Sequence, residues 1–475
     1  MLRSADLRAD LAVLQRAYEA LHPGLYRYST QAQVRSRFRD LDTYFSTDRT
    51  LAEAFLALTR LTASIKCGHS YPNFYNQTEP IAEALFEGRN KLPFAFRWIL
   101  GRMIVTDDRS PQALPRGTAV LSINGVDTSK ILQSLMPLAR ADGGNDAKRV
   151  TYLEVRGKER YFAFDILFPL VFPVHEPSFT LVVRRPGARA AETVQVPAID
   201  GAERRAAADP KTELAPDAPL WSYEEQDGFG VLRMPTWALY NSKWDYRAWM
   251  ETLFADLETR NVSDLVVDLR DNEGGLNAGN QILAHLIDQP LRLPRYQRHV
   301  RYRRVPEDLV PVLDTWDPSF LDWGAAAIES SYATFYRVTT WDDEDGDEIV
   351  KPAAPRYRGR VWVLVGAVNS SATFQFALAV KQSGVATLIG QSTGGNRRGI
   401  NGSAFFFVRL PKTGLEVDLP LVAGFPDTPQ PDAGVVPDVV VKPSAADIAA
   451  GIDSELAAAR SQMRPQAIRT KPRIR

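Results

Sequence analysis

Short apolar, β-branched runs alternate with segments of helical periodicity between residues 229 and 384, and few folds accommodate that pattern. "FGVLRMPTW" and "DLVVDLR" predict strands, and a helix from about Trp244 to Leu257 separates them. Another helix begins near residue 276, and "VWVLVGAV" predicts a third strand that is followed by a helix from residue 372. A strand that is followed each time by a helix predicts an α/β core with parallel crossover connections.

The turn after the third strand carries Asn369, Ser370, Ser371 and Ala372. Serine or asparagine before a helix often caps the first turn by accepting hydrogen bonds from its free N–H groups. A strand-to-helix turn is also where hydrolases expose a nucleophilic serine, with the following N–H directed at an oxyanion. Both interpretations fit the turn by itself.

A second informative turn is "DLRDNEGG", which follows the strand "DLVVDLR" and precedes a helix. Gly274 and Gly275 permit positive φ and let backbone N–H groups approach a ligand closely. Glycine-rich strand-to-helix turns also bind phosphate or are simply tight, so this turn alone does not define a chemistry.

His69 lies in the polar segment "KCGHSYPN", beside the single cysteine, Cys67. Residues two apart on a strand face the same way, which disfavours a Cys–His catalytic pair. His22 ends the first predicted helix at "HPG", and we interpret it as structural.

The composition argues against several kinds of partner and site. Lys+Arg and Asp+Glu both number 57, which gives no electrostatic reason to expect nucleic acid or an anionic membrane as a partner. No apolar run approaches the roughly 20 residues of a membrane span. One cysteine excludes an intramolecular disulfide and a cysteine-rich zinc site. We expect a soluble chain, periplasmic or secreted if a leader was removed and otherwise cytoplasmic.

The chain divides into four predicted parts. Residues 1–94 form a helical domain, residues 95–205 a β-rich domain with an Asn-Gly turn and a hairpin at Pro186-Gly187, residues 206–460 the α/β core, and residues 461–475 a basic flexible tail. The stretch 140–176 is an insertion in the β-rich domain, and "APDAPLWSYEEQDG" is a linker. The acidic stretch from Trp341 to Val350 is a solvated hairpin tip rather than a calcium loop, because the bidentate glutamate of such loops is absent.

In order, "CGHS", "VVDLRDNEGG", "NSSATFQFA" and "TLIGQSTGG" resemble the tail-specific, or C-terminal-processing, serine peptidases and their relatives built around the tricorn core. The resemblance spans most of the chain. It implies an α/β fold with a crotonase-like ββα spiral core, an N-terminal helical domain that carries the histidine motif, and a PDZ-like domain at residues 95–205.

The resemblance also implies roles for individual residues. The nucleophile is the serine before the alanine, Ser371, and the oxyanion hole is formed by Gly274 or Gly275 with Ala372. One branch of the family activates the serine with a lysine 25 residues later, but Asn396 stands there.

The tricorn-like branch uses a histidine instead, which makes His69 the general base. That branch has a serine where this chain has Gly68, and a glutamate where "QPDAGVVPD" offers Asp432, our candidate for the third catalytic group. Ser70 or a backbone carbonyl could instead hold the second nitrogen of the imidazole.

The implied function is serine-type hydrolysis of peptide bonds through an acyl-enzyme on Ser371, with a polypeptide substrate that the PDZ-like domain binds by strand addition. No metal or other cofactor is implied, and the oligomeric state is not specified. The alternative is a catalytically silent ligand- or peptide-binding protein on the same core. A crotonase-like acyl-CoA enzyme would leave Ser371 and the PDZ-like region unexplained.

Overall fold

The computed structural model describes residues 1–108, 114–157, 159–208, 217–226, 228–340 and 349–463. The predicted acidic tip lies outside these ranges apart from Ile349 and Val350, and the predicted tail lies outside them from residue 464 onward. Within the described ranges, no helix is long and apolar enough to cross a membrane.

Four helices form the N-terminal part. α1 buries Leu7, Leu11 and Leu14 on one face and ends at His22, while α2 and α3 each begin with a complete capping box, at Thr30 and Thr50. The helices are α1 (Ser4–Leu21), α2 (Gln31–Tyr44), α3 (Leu51–Ser64) and α4 (Glu79–Phe86).

The middle part is an antiparallel sheet with helices. The predicted turn at Asn124-Gly125 has positive φ at both residues and joins two paired strands, and the predicted hairpin at Pro186-Gly187 joins two more. The elements are β1 (Phe94–Ile99), β2 (Arg102–Asp108), β3 (Ala119–Ile123), β4 (Val126–Asp127), α5 (Thr128–Leu135), α6 (Asp146–Tyr152), α7 (Ala163–Val171), β5 (Ser178–Arg184), β6 (Glu192–Pro197) and α8 (Gly201–Ala208). The strand order is β1-β2-β3-β5-β6, with β4 on β3.

The predicted α/β alternation produces a mostly parallel sheet. Its elements are β7 (Ser222–Gln226), β8 (Phe229–Arg233), α9 (Tyr246–Thr259), β9 (Asp264–Asp268), α10 (Gly279–Leu286), β16 (Arg360–Val365), α11 (Ser371–Ser383), β17 (Thr387–Gly390) and β20 (Val439–Val440). The order is β20-β17-β16-β9-β8-β7, parallel except for β7 at the edge. The linker is shorter than the sequence predicts. The second half of the predicted segment forms β7, and Trp221 is buried.

A second antiparallel sheet has the order β12-β18-β19-β11-β14-β13. The elements not yet described are β10 (Leu291–Arg292), β11 (Tyr296–Val300), β12 (Leu313–Asp314), β13 (Ala327–Glu329), β14 (Tyr336–Val338), β15 (Ile349–Val350), β18 (Asn401–Arg409), β19 (Glu416–Pro426), α12 (Ala445–Ala449) and α13 (Ser454–Met463).

The hydrophobic core crosses the predicted domain boundaries. One continuous cluster joins the N-terminal helices, the middle sheet and strands β18 and β19, whereas a second cluster lies between the parallel sheet and helices α9, α10 and α11. Because apolar burial holds these parts together, the segment that carries His69 is packed against the half of the chain that carries Ser371.

Candidate active site

Ser371 occupies a strained turn between β16 and α11. Its φ is +50°, a left-handed conformation that is uncommon for a residue other than glycine and that collects at functional sites. Ser370 precedes it in extended conformation and does not cap the helix through its side chain; its hydroxyl donates instead to the carbonyl of Glu273 over 3.1 Å. The turn therefore presents Ser371 at a helix N-terminus, where the helix dipole favours negative charge.

Buried side chains join this turn to the neighbouring loops. Asn369 Nδ2 donates to the carbonyl of Asn272 over 2.9 Å, and the carbonyl of Asn369 accepts from Gly394 and Gly395 over 2.7 and 3.0 Å. Thr373 Oγ1 contacts the carbonyl of Asn272 at 3.1 Å. The motifs that the sequence places about a hundred residues apart thus form one hydrogen-bonded unit.

The two glycines of the second turn lie against Ser371. Their φ angles are +128° for Gly274 and +132° for Gly275. A Cβ on Gly274 would lie 2.8 Å from Ser371 Cβ and 3.2 Å from the nitrogen of Ala372, so only glycine permits this approach. The N–H of Gly274 already donates to Asn272 Oδ1 over 3.0 Å.

Asp142 and Arg140 hold the loop that carries His69. Asp142, which is 2% exposed, accepts the N–H of Gly68 over 2.9 Å, and a Cβ on Gly68 would lie 2.9 Å from its Oδ2. Arg140 donates to the carbonyl of Gly68 and also to Glu273 Oε2, the latter over 3.0 Å. The histidine loop is therefore joined through one guanidinium to the residue that precedes Gly274.

Glu273 is the centre of an ion cluster beneath the serine turn. Lys148 Nζ lies 2.6 Å from Glu273 Oε1, 2.8 Å from the carbonyl of Val368 and 3.5 Å from Ser370 Oγ. Burial alone would raise the pKa of Glu273, but Arg140 and Lys148 hold it well below its usual range. Burial lowers the pKa of Lys148, against the opposing effect of Glu273. The cluster thus fixes a carboxylate charge beside the serine turn.

The environment of His69 favours the neutral imidazole. Burial is the largest influence and lowers the pKa of His69; the negative charges of Asp142 and Glu273 oppose that effect, and Arg140 and Lys148 reinforce it. Its Nδ1 is buried and has no hydrogen-bond partner within the described ranges. A neutral imidazole near neutral pH can accept a proton, as a general base must.

The neighbours of His69 are structural. His22 is fully buried, accepts the N–H of Gly24 at Nδ1 and therefore donates from Nε2 to Ser70 Oγ over 2.7 Å. Burial lowers the pKa of His22 to about 3, which keeps the ring neutral. Cys67 Sγ accepts from Asn401 Nδ2 at 3.2 Å, and burial raises the pKa of its thiol, which makes it a poor nucleophile.

The carboxylate of Asp432 is hydrogen-bonded to Asn396 and Gly144. It accepts from Asn396 Nδ2 over 2.6 Å and from the N–H of Gly144 over 3.0 Å. Asn396 Nδ2 also contacts the carbonyl of Asp142 at 3.3 Å, so Asp432 supports the turn that carries Asp142. The principal charges acting on His69 are those of Asp142, Arg140, Glu273 and Lys148. A catalytic role for Asp432 stays a prediction.

Sequence reasoning missed Arg140, Asp142 and Lys148. All three lie at the start of the predicted insertion 140–176, in the charged, glycine-containing stretch "RADGGNDAK". The adjacent glycines mark a turn, and the charges beside them were the available signal. Among the described residues, no group of three or more His, Cys, Asp or Glu side chains is arranged to hold a metal ion.

Comparisons with known proteins give one matching family model and several similar structures. The family model for peptidase family S41 matches residues 228–441. Mature CPAF complexed with lactacystin has a similar structure, with a TM-score of 0.64 at 16% identity over 97% of each chain. A structure of mature CPAF gives a TM-score of 0.60 at 16% identity over 94% of each chain. A comparison with curated protein sequences gives no match. At these identities, the similarity to CPAF establishes the fold.

Proposed function

We propose that this protein, whose residues 228–441 belong to peptidase family S41 and which is therefore a hydrolase of the serine peptidase class, cleaves polypeptides through an acyl-enzyme on Ser371 with His69 as general base. The positive φ of Ser371 at the start of α11, directly against Gly274, is the observation that carries this proposal. Such a turn exposes the hydroxyl above the sheet and places free helix N–H groups beside it.

In the proposed mechanism, His69 accepts the proton of Ser371 Oγ as the oxygen attacks the scissile carbonyl. The same imidazole then gives this proton to the leaving amine, and water hydrolyses the acyl-enzyme. We assign the oxyanion hole to the N–H groups of Gly275 and Ala372, because the N–H of Gly274 is bonded to Asn272. Each such donor typically contributes about 3 to 4 kcal/mol of transition-state stabilisation.

We assign to Asp142 the electrostatic stabilisation of the His69 imidazolium. Its carboxylate is the strongest acidic influence on the pKa of His69, and it holds the preceding residue through the N–H of Gly68. In this assignment Asp432 is a positioning residue, which acts through Asn396 and Gly144.

We further propose that the sheet β1–β6 with α5 is PDZ-like and that the parallel sheet with its helices is a crotonase-like spiral core. The Asn124-Gly125 turn, which leads from β3 through β4 into α5, supports the first assignment. The strand–helix alternation from β8 to β17 supports the second. The PDZ-like sheet would bind polypeptide by strand addition.

Labelling with a fluorophosphonate probe tests the proposal, with mass spectrometry to locate the adduct. We expect an adduct on Ser371 that is lost in Ser371→Ala and strongly reduced in His69→Ala. Ser370→Ala is the matched control and should keep most of the labelling, because Ser370 Oγ bonds to a backbone carbonyl. A folded protein that gives no adduct and cleaves no polypeptide would support the catalytically silent binding protein instead.

A further inference from the structure

An exposed aromatic surface adjoins His69. Trp316 is 58% exposed, and its ring lies 5.8 Å from each of Phe405 and Phe407 and 5.6 Å from Phe320. The ring of Phe405 lies 5.8 Å from the ring of His69. We call Trp316, Phe405 and Phe407 the aromatic stripe. It runs outward from the proposed general base.

Strand geometry explains why these rings face outward. In β18, Ala404, Phe406 and Val408 are fully buried, and the alternate residues Phe405 and Phe407 are partly exposed on the other face. β12 pairs with the far end of β18, with Leu313 opposite Val408 and Asp314 opposite Phe407. The chain then brings Trp316 across Phe405. Single exposed apolar side chains are ordinary, whereas a contiguous exposed apolar patch often marks a binding surface.

The edge of β18 carries no partner strand in the described ranges where it passes His69. No strand in the described ranges pairs with residues 401–406 on the side that β12 occupies further along. His69 lies over Gly402, where a Cβ would be 4.0 Å from His69 Cε1. A strand edge without a partner strand can accept an extended peptide through main-chain hydrogen bonds. This edge and the aromatic stripe therefore form one surface that leads to the catalytic groups.

We propose that the aromatic stripe is a specificity subsite that binds a bulky apolar side chain, aromatic or branched aliphatic, of the polypeptide substrate. This inference rests on the proposed function, because it takes His69 to mark the reacting centre. Two successive ring contacts of 5.8 Å lead from His69 to Trp316. Since an extended chain advances about 3.3 Å per residue, the recognised side chain lies within about four residues of the scissile bond.

Trp316 determines the preference for an apolar side chain, because it is the most exposed ring of the stripe and lies against both Phe405 and Phe407. The stripe has no charged member, so an acidic or strongly polar side chain would lose its hydration there without a partner. The expected selectivity is about 10- to 100-fold in kcat/KM between matched peptides, the range that apolar pockets provide.

The experiment compares wild-type protein with Trp316→Ala and Trp316→Phe. Two peptides are used that differ only in having leucine or serine at the recognised position, which is found first by mapping the cleavage products of an unfolded protein substrate. We expect Trp316→Ala to lower kcat/KM for the leucine peptide about 10- to 100-fold and to leave the serine peptide nearly unchanged. Trp316→Phe should restore most of the preference. Tyr44→Ala, which removes an exposed aromatic ring on helix α2 that is not part of the stripe, should change the rate for neither peptide.

Fluorophosphonate labelling of Ser371 separates the two proposals, because the small probe does not extend to Trp316. Unchanged labelling with a lost leucine preference supports the aromatic subsite. Unchanged labelling with an intact preference in Trp316→Ala, or with no apolar preference in wild-type protein, overturns the subsite and leaves the serine peptidase standing. Absence of labelling in folded wild-type protein overturns both the subsite and the proposed serine peptidase mechanism.

Discussion

Replacing Gly274 by alanine tests whether the close approach of the two turns is needed for catalysis. The new Cβ would lie 2.8 Å from Ser371 Cβ and 2.9 Å from the carbonyl oxygen of Ser370, whereas carbon atoms pack at about 3.5 to 4.0 Å. The serine turn must therefore move by about 1 Å. A displacement of that size at a reacting centre can lower the rate about 100-fold.

The same substitution also strains the backbone. Gly274 has φ +128°, and holding alanine in such a conformation costs about 1 to 3 kcal/mol of folding free energy. Gly187→Ala is the matched control, because Gly187 has φ +76° and no neighbouring atom lies within 4 Å of its Cβ position. We expect both variants to be less stable and only Gly274→Ala to lose activity.

The assay combines kcat for a peptide substrate with the rate of fluorophosphonate labelling, and thermal unfolding supplies the stability comparison. Gly274→Ala should lower both rates about 100-fold, while Gly187→Ala keeps them. The reasoning is refuted if Gly274→Ala is folded at the assay temperature and retains both rates to within about threefold of wild type.

Three further predictions concern charge. Because burial lowers the pKa of His69 below its ordinary 6.5, kcat/KM should rise with pH with an inflection below pH 6.5. Asp142→Asn should move that inflection to lower pH and reduce the plateau. Gly68→Ser should reduce activity, because its Cβ would displace the Asp142 carboxylate. Asp418 is buried, which raises its pKa from 3.8 to about 7. The stability it contributes is complete below pH 4 and is lost as pH rises through 7, by up to about 4 kcal/mol. Asp418→Asn should therefore gain stability relative to wild type as pH rises from 4 to 8.

Each of these three predictions can be contradicted by a measurement. An unchanged inflection in Asp142→Asn would show that this carboxylate does not act on His69. Full activity in Gly68→Ser would show that the Asp142 contact is dispensable. A stability difference between Asp418→Asn and wild type that stays constant with pH, measured by denaturant unfolding, would show that Asp418 titrates normally in the folded protein.

The sequence predicted what local patterns encode. Alternation of strands and helices predicted the parallel sheet, and the strand-to-helix turn predicted the position of Ser371, because strand and helix periodicities change there within a few residues. Gly274 and Gly275 were identifiable for the same reason: glycine is required where the backbone adopts positive φ beside another chain segment. These features depend on neighbouring residues in the sequence.

The charges around His69 depend on distant contacts and were not predicted. Asp142 meets Gly68 across 74 residues and Lys148 meets Glu273 across 125, and no periodicity or motif records such pairs. Asp432 was chosen for its position near a motif, but its hydrogen bonds go to Asn396 and Gly144. The aromatic stripe was not predicted, because the sequence shows Phe405 and Phe407 only as alternate residues of a strand. The fold brings Trp316 over them.

The continuous core that joins the N-terminal helices to β18 and β19 has a consequence for synthesis. The ribosome makes the His69 segment first, and Ser371 follows about 300 residues later. The cluster that packs the early helices includes residues as late as Val422. A nascent chain therefore cannot complete the packing that joins the His69 segment to the half carrying Ser371 until most of the polypeptide has emerged. The proposed catalytic site can therefore assemble only late in synthesis.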